Sequence, residues 1–121
     1  MDRTKQAYSR FALVREMFET VEVTRSFSVP EVLSFKKVKL FLTGEGSSRI
    51  FPAKQLRAQL LRAATAYEVT SDGATQALEY DLRRHHVFVA SNSGKTAEGV
   101  RLLRILKKQG VATTAVAATA G

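Results

Sequence analysis

The sequence predicts an α/β domain, a parallel sheet with helices on both faces. Two observations carry this reading. Short β-branched and aromatic runs alternate with longer stretches of helical periodicity, as in successive βαβ units. The run Val87-Phe88-Val89-Ala90 is apolar at every position, which suits a strand buried on both sides. The 121 residues, 45% hydrophobic and 25% charged, suit one ordinary globular domain with a modest core.

From about Lys5 to Thr20, Tyr8, Phe11, Val14 and Phe18 recur at three- and four-residue steps while Arg10, Arg15 and Glu19 fall elsewhere, which predicts an amphipathic helix. Ser28-Val29-Pro30-Glu31 has the cap, proline and acidic residue of a second helix start, ending near Lys36. Residues 1–36 therefore read as a helical hairpin, either a cap over the core or a surface for a second subunit, and 37–121 as the α/β part.

Val38–Leu42 is the first predicted strand. Thr43-Gly44-Glu45-Gly46-Ser47-Ser48 follows as a tight loop, and from Arg49 the residues Ala53, Leu56, Leu60, Leu61 and Ala64 hold helical spacing, with Pro52 in the first turn. Tyr67–Thr70 predicts a short second strand, Ser71-Asp72-Gly73 a turn, and Ala74–Arg84 a helix carrying Ala77, Leu78 and Leu82. Val87–Ala90 is the third strand; Ser91-Asn92-Ser93-Gly94-Lys95-Thr96 is its loop. The next helix holds Ala97, Val100, Leu103 and Leu106 near one face, with Glu98 at its start, Lys107 and Lys108 at its end and Gly110 just beyond. Val111–Ala118 is the fourth strand.

In the flavodoxin-like order 2-1-3-4-5, strands one and three are neighbours whose outgoing helices lie on opposite faces, opening a crevice at their carboxyl ends. Both hydroxyl-rich loops leave from those strands. Ser47, Ser48, Ser91, Ser93 and Thr96 are therefore expected to converge there, beside helix N-termini whose unpaired amides and positive dipole ends favour an anion. Each serine taken singly also suits an ordinary helix cap.

These motifs resemble those of the sugar isomerase (SIS) domain family, the phosphosugar-binding module of aldose-ketose isomerases and of the isomerase half of glucosamine-6-phosphate synthase. Gly44-Glu45-Gly46-Ser47-Ser48 looks like the family's glycine-rich loop, and Ser91-Asn92-Ser93-Gly94-Lys95-Thr96 is similar to its Ser-x-Ser-Gly-x-Thr loop. The resemblance covers about Lys37 to the C-terminus, and the helical hairpin suits it. It implies a doubly wound, three-layer α/β/α fold in which Ser48, Ser91, Ser93 and Thr96 bind the sugar phosphate through their hydroxyls, with Ser47 and Asn92 adding contacts. Lys95 stands where relatives are often acidic. Relatives continue through a fifth strand, and the resemblance places their catalytic base in that later part, whereas this chain stops at Gly121 soon after strand four. No catalytic residue is assigned. The expectation is a partial SIS domain that binds a phosphorylated sugar or aminosugar, belongs to a phosphosugar isomerase completed by further chain or a partner subunit, and self-associates through the sheet edge at 111–118. The alternative is a non-catalytic phosphosugar-sensing module.

Other classes fit less well. There is no cysteine, and His85 and His86 are adjacent and precede strand three, so no metal site is expected. No cofactor is expected either; a flavin or nucleotide binder would use the same crevice, but the chain has no tryptophan to stack a ring. The net charge of +8 and pI of about 10.2 favour anionic partners. Nucleic acid is disfavoured because the basic residues spread over several helices without a zinc-finger, RRM or KH signature. With no signal-peptide core or membrane-length apolar run, the cytoplasm is the expected compartment.

Overall fold

The computed structural model describes residues 10–28 and 37–118. The chain divides into two compact units, 1–34 and 35–121.

Among the described residues of the first unit one helix, α1, spans Ala12–Ser26. It runs six residues beyond the expected end at Thr20, through the β-branched Val21, Val23 and Thr24. Such residues are poor helix formers in sequence terms. Here the hydroxyls of Thr20 and Thr24 donate to the carbonyls of Glu16 and Thr20 at 2.7 Å, and that of Ser26 to the carbonyl of Glu22 at 3.0 Å, so these polar side chains close onto the helix itself. The predicted second helix falls largely on 29–36 and lies outside the described residues.

The second unit is the α/β part. Its elements are β1 (Lys39–Gly44), α2 (Ser47–Arg62), β2 (Glu68–Ser71), α3 (Ala74–Ala77), β3 (His85–Ser91), α4 (Ala97–Lys108) and β4 (Ala112–Ala117). The four strands form one parallel sheet in the order β2-β1-β3-β4. That is the doubly wound order expected from the sequence.

Side chains alternate across a strand, so the sheet has two chemically distinct faces. Phe41, Val87 and Val89 project to one face and are buried with Ala74, Ala77, Leu82, Leu102, Leu106 and Val111, the main core under α3 and α4. Leu40, Leu42, Phe88 and Ala90 project to the other, where Pro52 and Leu56 of α2 lie against them. The helices that follow β1 and β3 therefore cover opposite faces.

Three expectations change. First, α2 begins at Ser47, so Pro52 lies inside the helix rather than in its first turn, and Leu61, one of the apolar residues at helical spacing, is 70% exposed. Second, the helix expected over 74–84 is a single turn. The Asp81 carboxylate accepts the Arg83 backbone N–H at 3.2 Å and grips its guanidinium at 2.6 and 2.8 Å, a local alternative to helical bonding. Third, His85 and His86 lie within β3 at its amino end rather than before it; the His86 ring stacks on Phe88 at 4.6 Å and its Nε2 meets Thr114 Oγ1 at 2.8 Å.

The end of α4 follows the sequence reading. Gly110 takes a φ of 70°, its N–H donates to the carbonyl of Lys107 at 3.2 Å, and that of Val111 donates to the carbonyl of Leu106 at 3.0 Å. This Schellman pattern returns Val111 to the core beside Leu106.

Candidate functional site

The order β2-β1-β3-β4 places the topological switch between β1 and β3, because the chain proceeds outward in one direction from β1 to β2 and in the other from β3 to β4. The loops after β1 and β3 thus leave adjacent strands at the same end of the sheet, with Gly44 and Ala90 in register. The approach is close. A Cβ built on Gly44 would stand 2.3 Å from the Ala90 carbonyl oxygen, and its φ of 148° disfavours other residues. This glycine is the part of the first motif whose reason is steric.

In the first loop, Glu45 and Gly46 connect to α2, whose first two positions are Ser47 and Ser48. The N-cap is Gly46, with no side-chain capping bond. Its carbonyl accepts the N–H groups of Arg49 and Ile50, both at 3.2 Å. Ser47, Glu45 and Gly46 are exposed.

The second loop is knit by its hydroxyls. Ser91 Oγ lies 2.7 Å from Thr96 Oγ1 and accepts the Gly94 N–H at 3.1 Å. Ser93 Oγ accepts the Lys95 N–H at 3.1 Å. Asn92 is exposed, and its carbonyl accepts the Ala118 N–H at 3.1 Å, tying the loop to the end of β4. Lys95 is exposed. Thr96 occupies the N-cap of α4 without capping it by its side chain, since its hydroxyl contacts Ser91 instead. The long helices α2 and α4 thus both start at this end of the sheet with uncapped first turns, where amides and the positive dipole end favour an anion.

The structure therefore brings Ser91 and Thr96 into direct contact, fixes Ser93 on the same loop, and sets Ser47 and Ser48 at the start of the helix leaving the neighbouring strand. The surrounding charge suits an anion: residues 35–121 carry fourteen basic and six acidic side chains, the whole net charge of +8, whereas residues 1–34 are balanced.

Two polar groups at this end were not singled out from the sequence. Thr43 is 1% exposed, and its hydroxyl is buried without a hydrogen-bond partner. Arg49 lies in the first turn of α2 with its Nε buried and likewise unpaired. The signal for Arg49 was its place four residues before Ala53, on the side of the helix that meets the sheet. Among the described residues no group of three or more His, Cys, Asp or Glu is placed to hold a metal ion, and no helix is long and apolar enough to cross a membrane.

No family model and no curated protein matches the sequence. Solved structures do. A protein of Escherichia coli CFT073, solved in complex with arabinose 5-phosphate, superposes with a TM-score of 0.64 at 24% identity, covering 98% of this chain and 67% of its own. A Bacteroides fragilis NCTC 9343 protein, described as a phosphosugar isomerase involved in capsule formation, gives 0.61 at 18% identity, with 89% and 66% covered. This chain spans about two thirds of the length of both. This chain shares the doubly wound α/β fold of both proteins.

Proposed function

We propose that this chain binds a phosphorylated sugar or aminosugar at the crevice between β1 and β3, with the phosphate held by the hydroxyls of Ser48, Ser91, Ser93 and Thr96 and by contacts from Ser47 and Asn92. The observation that carries the reading is the loop after β3, where the Ser91 and Thr96 hydroxyls meet at 2.7 Å in front of an uncapped helix N-terminus. Hydroxyls so arranged can turn their hydrogens outward to an incoming oxyanion, and unpaired amides complete its coordination. The arabinose 5-phosphate bound by a structural neighbour supports the ligand class.

On this reading the chain is the phosphosugar-binding part of an aldose-ketose or aminosugar phosphate isomerase. Isomerisation requires a base to carry a proton between adjacent carbons, and that base comes from further chain or a partner subunit. A cytoplasmic homo-oligomer completes the proposal. Support for self-association comes from β4, an edge strand whose Ala115, Val116 and Ala117 are exposed.

The test is calorimetric titration with arabinose 5-phosphate, fructose 6-phosphate and glucosamine 6-phosphate, repeated on a folded Ser91→Ala, Ser93→Ala double variant. Binding to the native chain that is lost in the variant supports the proposal. Binding that survives unchanged places the ligand elsewhere and sinks it.

A further inference from the structure

Besides the exposed Glu45 and Lys95 of its two loops, the cradle has one partly buried cation at the same end of the sheet. Arg49 lies one turn before Ala53, which is buried against the sheet, so the two share a helix side. Its side chain lines a cavity of about 270 Å³ walled chiefly by Leu40, Leu42, Leu56, Phe88 and Ala90. The last of these immediately precedes Ser91. Apolar walls suit the methylene stem of an arginine but not its guanidinium. Nε is buried with no hydrogen bond, and no carboxylate among the described residues lies within ion-pair distance of Arg49. The nearest electrostatic effect is weak: Asp72 is held below its usual pKa first by the Tyr80 hydroxyl and the Gly73 amide, and only in smaller part by the charge of Arg49. A permanently charged side chain whose Nε–H is held in an apolar wall without an acceptor is an arrangement that an oxyanion would satisfy.

We propose that Arg49 is an anion-binding residue of the crevice, donating its Nε–H and a terminal N–H to the phosphate of the bound ligand. The inference relies on the phosphosugar reading only for the identity of the molecule that carries the phosphate. Arginine suits the role better than lysine because its planar fork meets two phosphate oxygens at once.

The experiment uses inorganic phosphate and arabinose 5-phosphate as probes, with the native chain, Arg49→Lys and Arg49→Met. The methionine variant keeps an apolar stem in the cavity and removes only the charged fork. Both probes should bind roughly 10- to 100-fold more weakly to Arg49→Met, with the lysine variant between, because hydrogen bonds to charged groups carry that much differential affinity. The salt dependence of binding should also flatten. In the native protein the Arg49 Nε–H resonance should shift on adding phosphate, and this arm decides the matter if the variants fail to fold.

Equal affinity in native and Arg49→Met, or an unmoved Nε–H resonance at saturating phosphate, would overturn the assignment while leaving the phosphosugar reading intact. Arg49-dependent binding of inorganic phosphate, with arabinose 5-phosphate, fructose 6-phosphate and glucosamine 6-phosphate bound no better, would support Arg49 and sink the sugar reading. Binding of neither probe to the folded native chain overturns both.

Discussion

The unit β1-α2 and the unit β3-α4 have the same plan, a strand passing through a small-residue loop into a helix, but they are built by different means. The first loop is shaped by backbone: Gly44 permits the close approach to Ala90, and Gly46 caps the helix without a side chain. The second is shaped by side chains, with Ser91, Ser93 and Thr96 holding loop amides and one another. A glycine here specifies distance, and a hydroxyl here specifies direction. The first loop thus sets how near the two strand ends come, and the second sets where donors point.

Gly44→Ala attacks the first device and should have the largest effect. Its Cβ would collide with a backbone carbonyl that cannot rotate away, and a φ of 148° adds strain, so a loss of about 3 kcal/mol or more is expected. Chemical denaturation measures it. A loss under about 0.5 kcal/mol, the range of an ordinary surface change, would mean that the strand ends are not held so closely.

Thr43→Val, one residue earlier, should act in the opposite direction. The hydroxyl is buried and unpartnered, so an isosteric methyl should stabilise the fold by about 1 kcal/mol. A destabilised valine variant would show that this hydroxyl has an acceptor in solution, and would make the first loop more like the second.

The contrast continues at the far ends of the two helices. Both end in the Schellman pattern: Ala64 N–H donates to the Leu61 carbonyl at 3.4 Å and Thr65 N–H to the Leu60 carbonyl at 3.3 Å, matching the bonds at Gly110 and Val111. Yet the left-handed position is Gly110 in one and Ala64, with a φ of 50°, in the other. Ala64→Gly should stabilise and Gly110→Ala destabilise, each by up to about 1 kcal/mol. Thermal melts of both variants check the pair, and shifts of the same sign would remove the explanation.

How much of this was legible in sequence follows from the same contrast. Alternating apolar runs and helical spacing are local patterns, so the strands and the start and end of α4 could be read from Val87–Ala90, Glu98 and Gly110, whereas the strand order was taken from the doubly wound topology that the alternation implies. The reach of the second motif was legible too, because its hydroxyls bond within six residues of each other. What could not be read depended on distant partners or on a local bond that competes with the helix. The brevity of α3 comes from the Asp81–Arg83 clasp competing with the helix. The exposure of Leu61 reflects which side of α2 meets the sheet. Arg49 reads as one more helix charge until the wall it faces is known.

The smallest effect concerns the amino ends of the same two strands, where Lys39 of β1 and His85 of β3 are in register. Lys39 has a partner, Glu68 at 3.5 Å, and is partly exposed. His85 has its Nδ1 buried without a hydrogen bond, and its pKa is lowered from 6.5, first by burial and then by the Lys39 charge, which outweigh the opposing charges of Glu68 and Asp81. A histidine whose folded pKa lies below its unfolded value takes up its proton more readily when unfolded. Its contribution to stability is therefore present above pH 6.5 and lost as the pH falls below that value. His85→Gln should flatten the fall in denaturation midpoint between pH 7.5 and about pH 5, relative to the native chain, while leaving the midpoint at pH 7.5 little changed. An equal fall in both proteins would transfer the acid sensitivity to other groups and leave the amino ends of the two units alike in pH response, unlike their carboxyl ends.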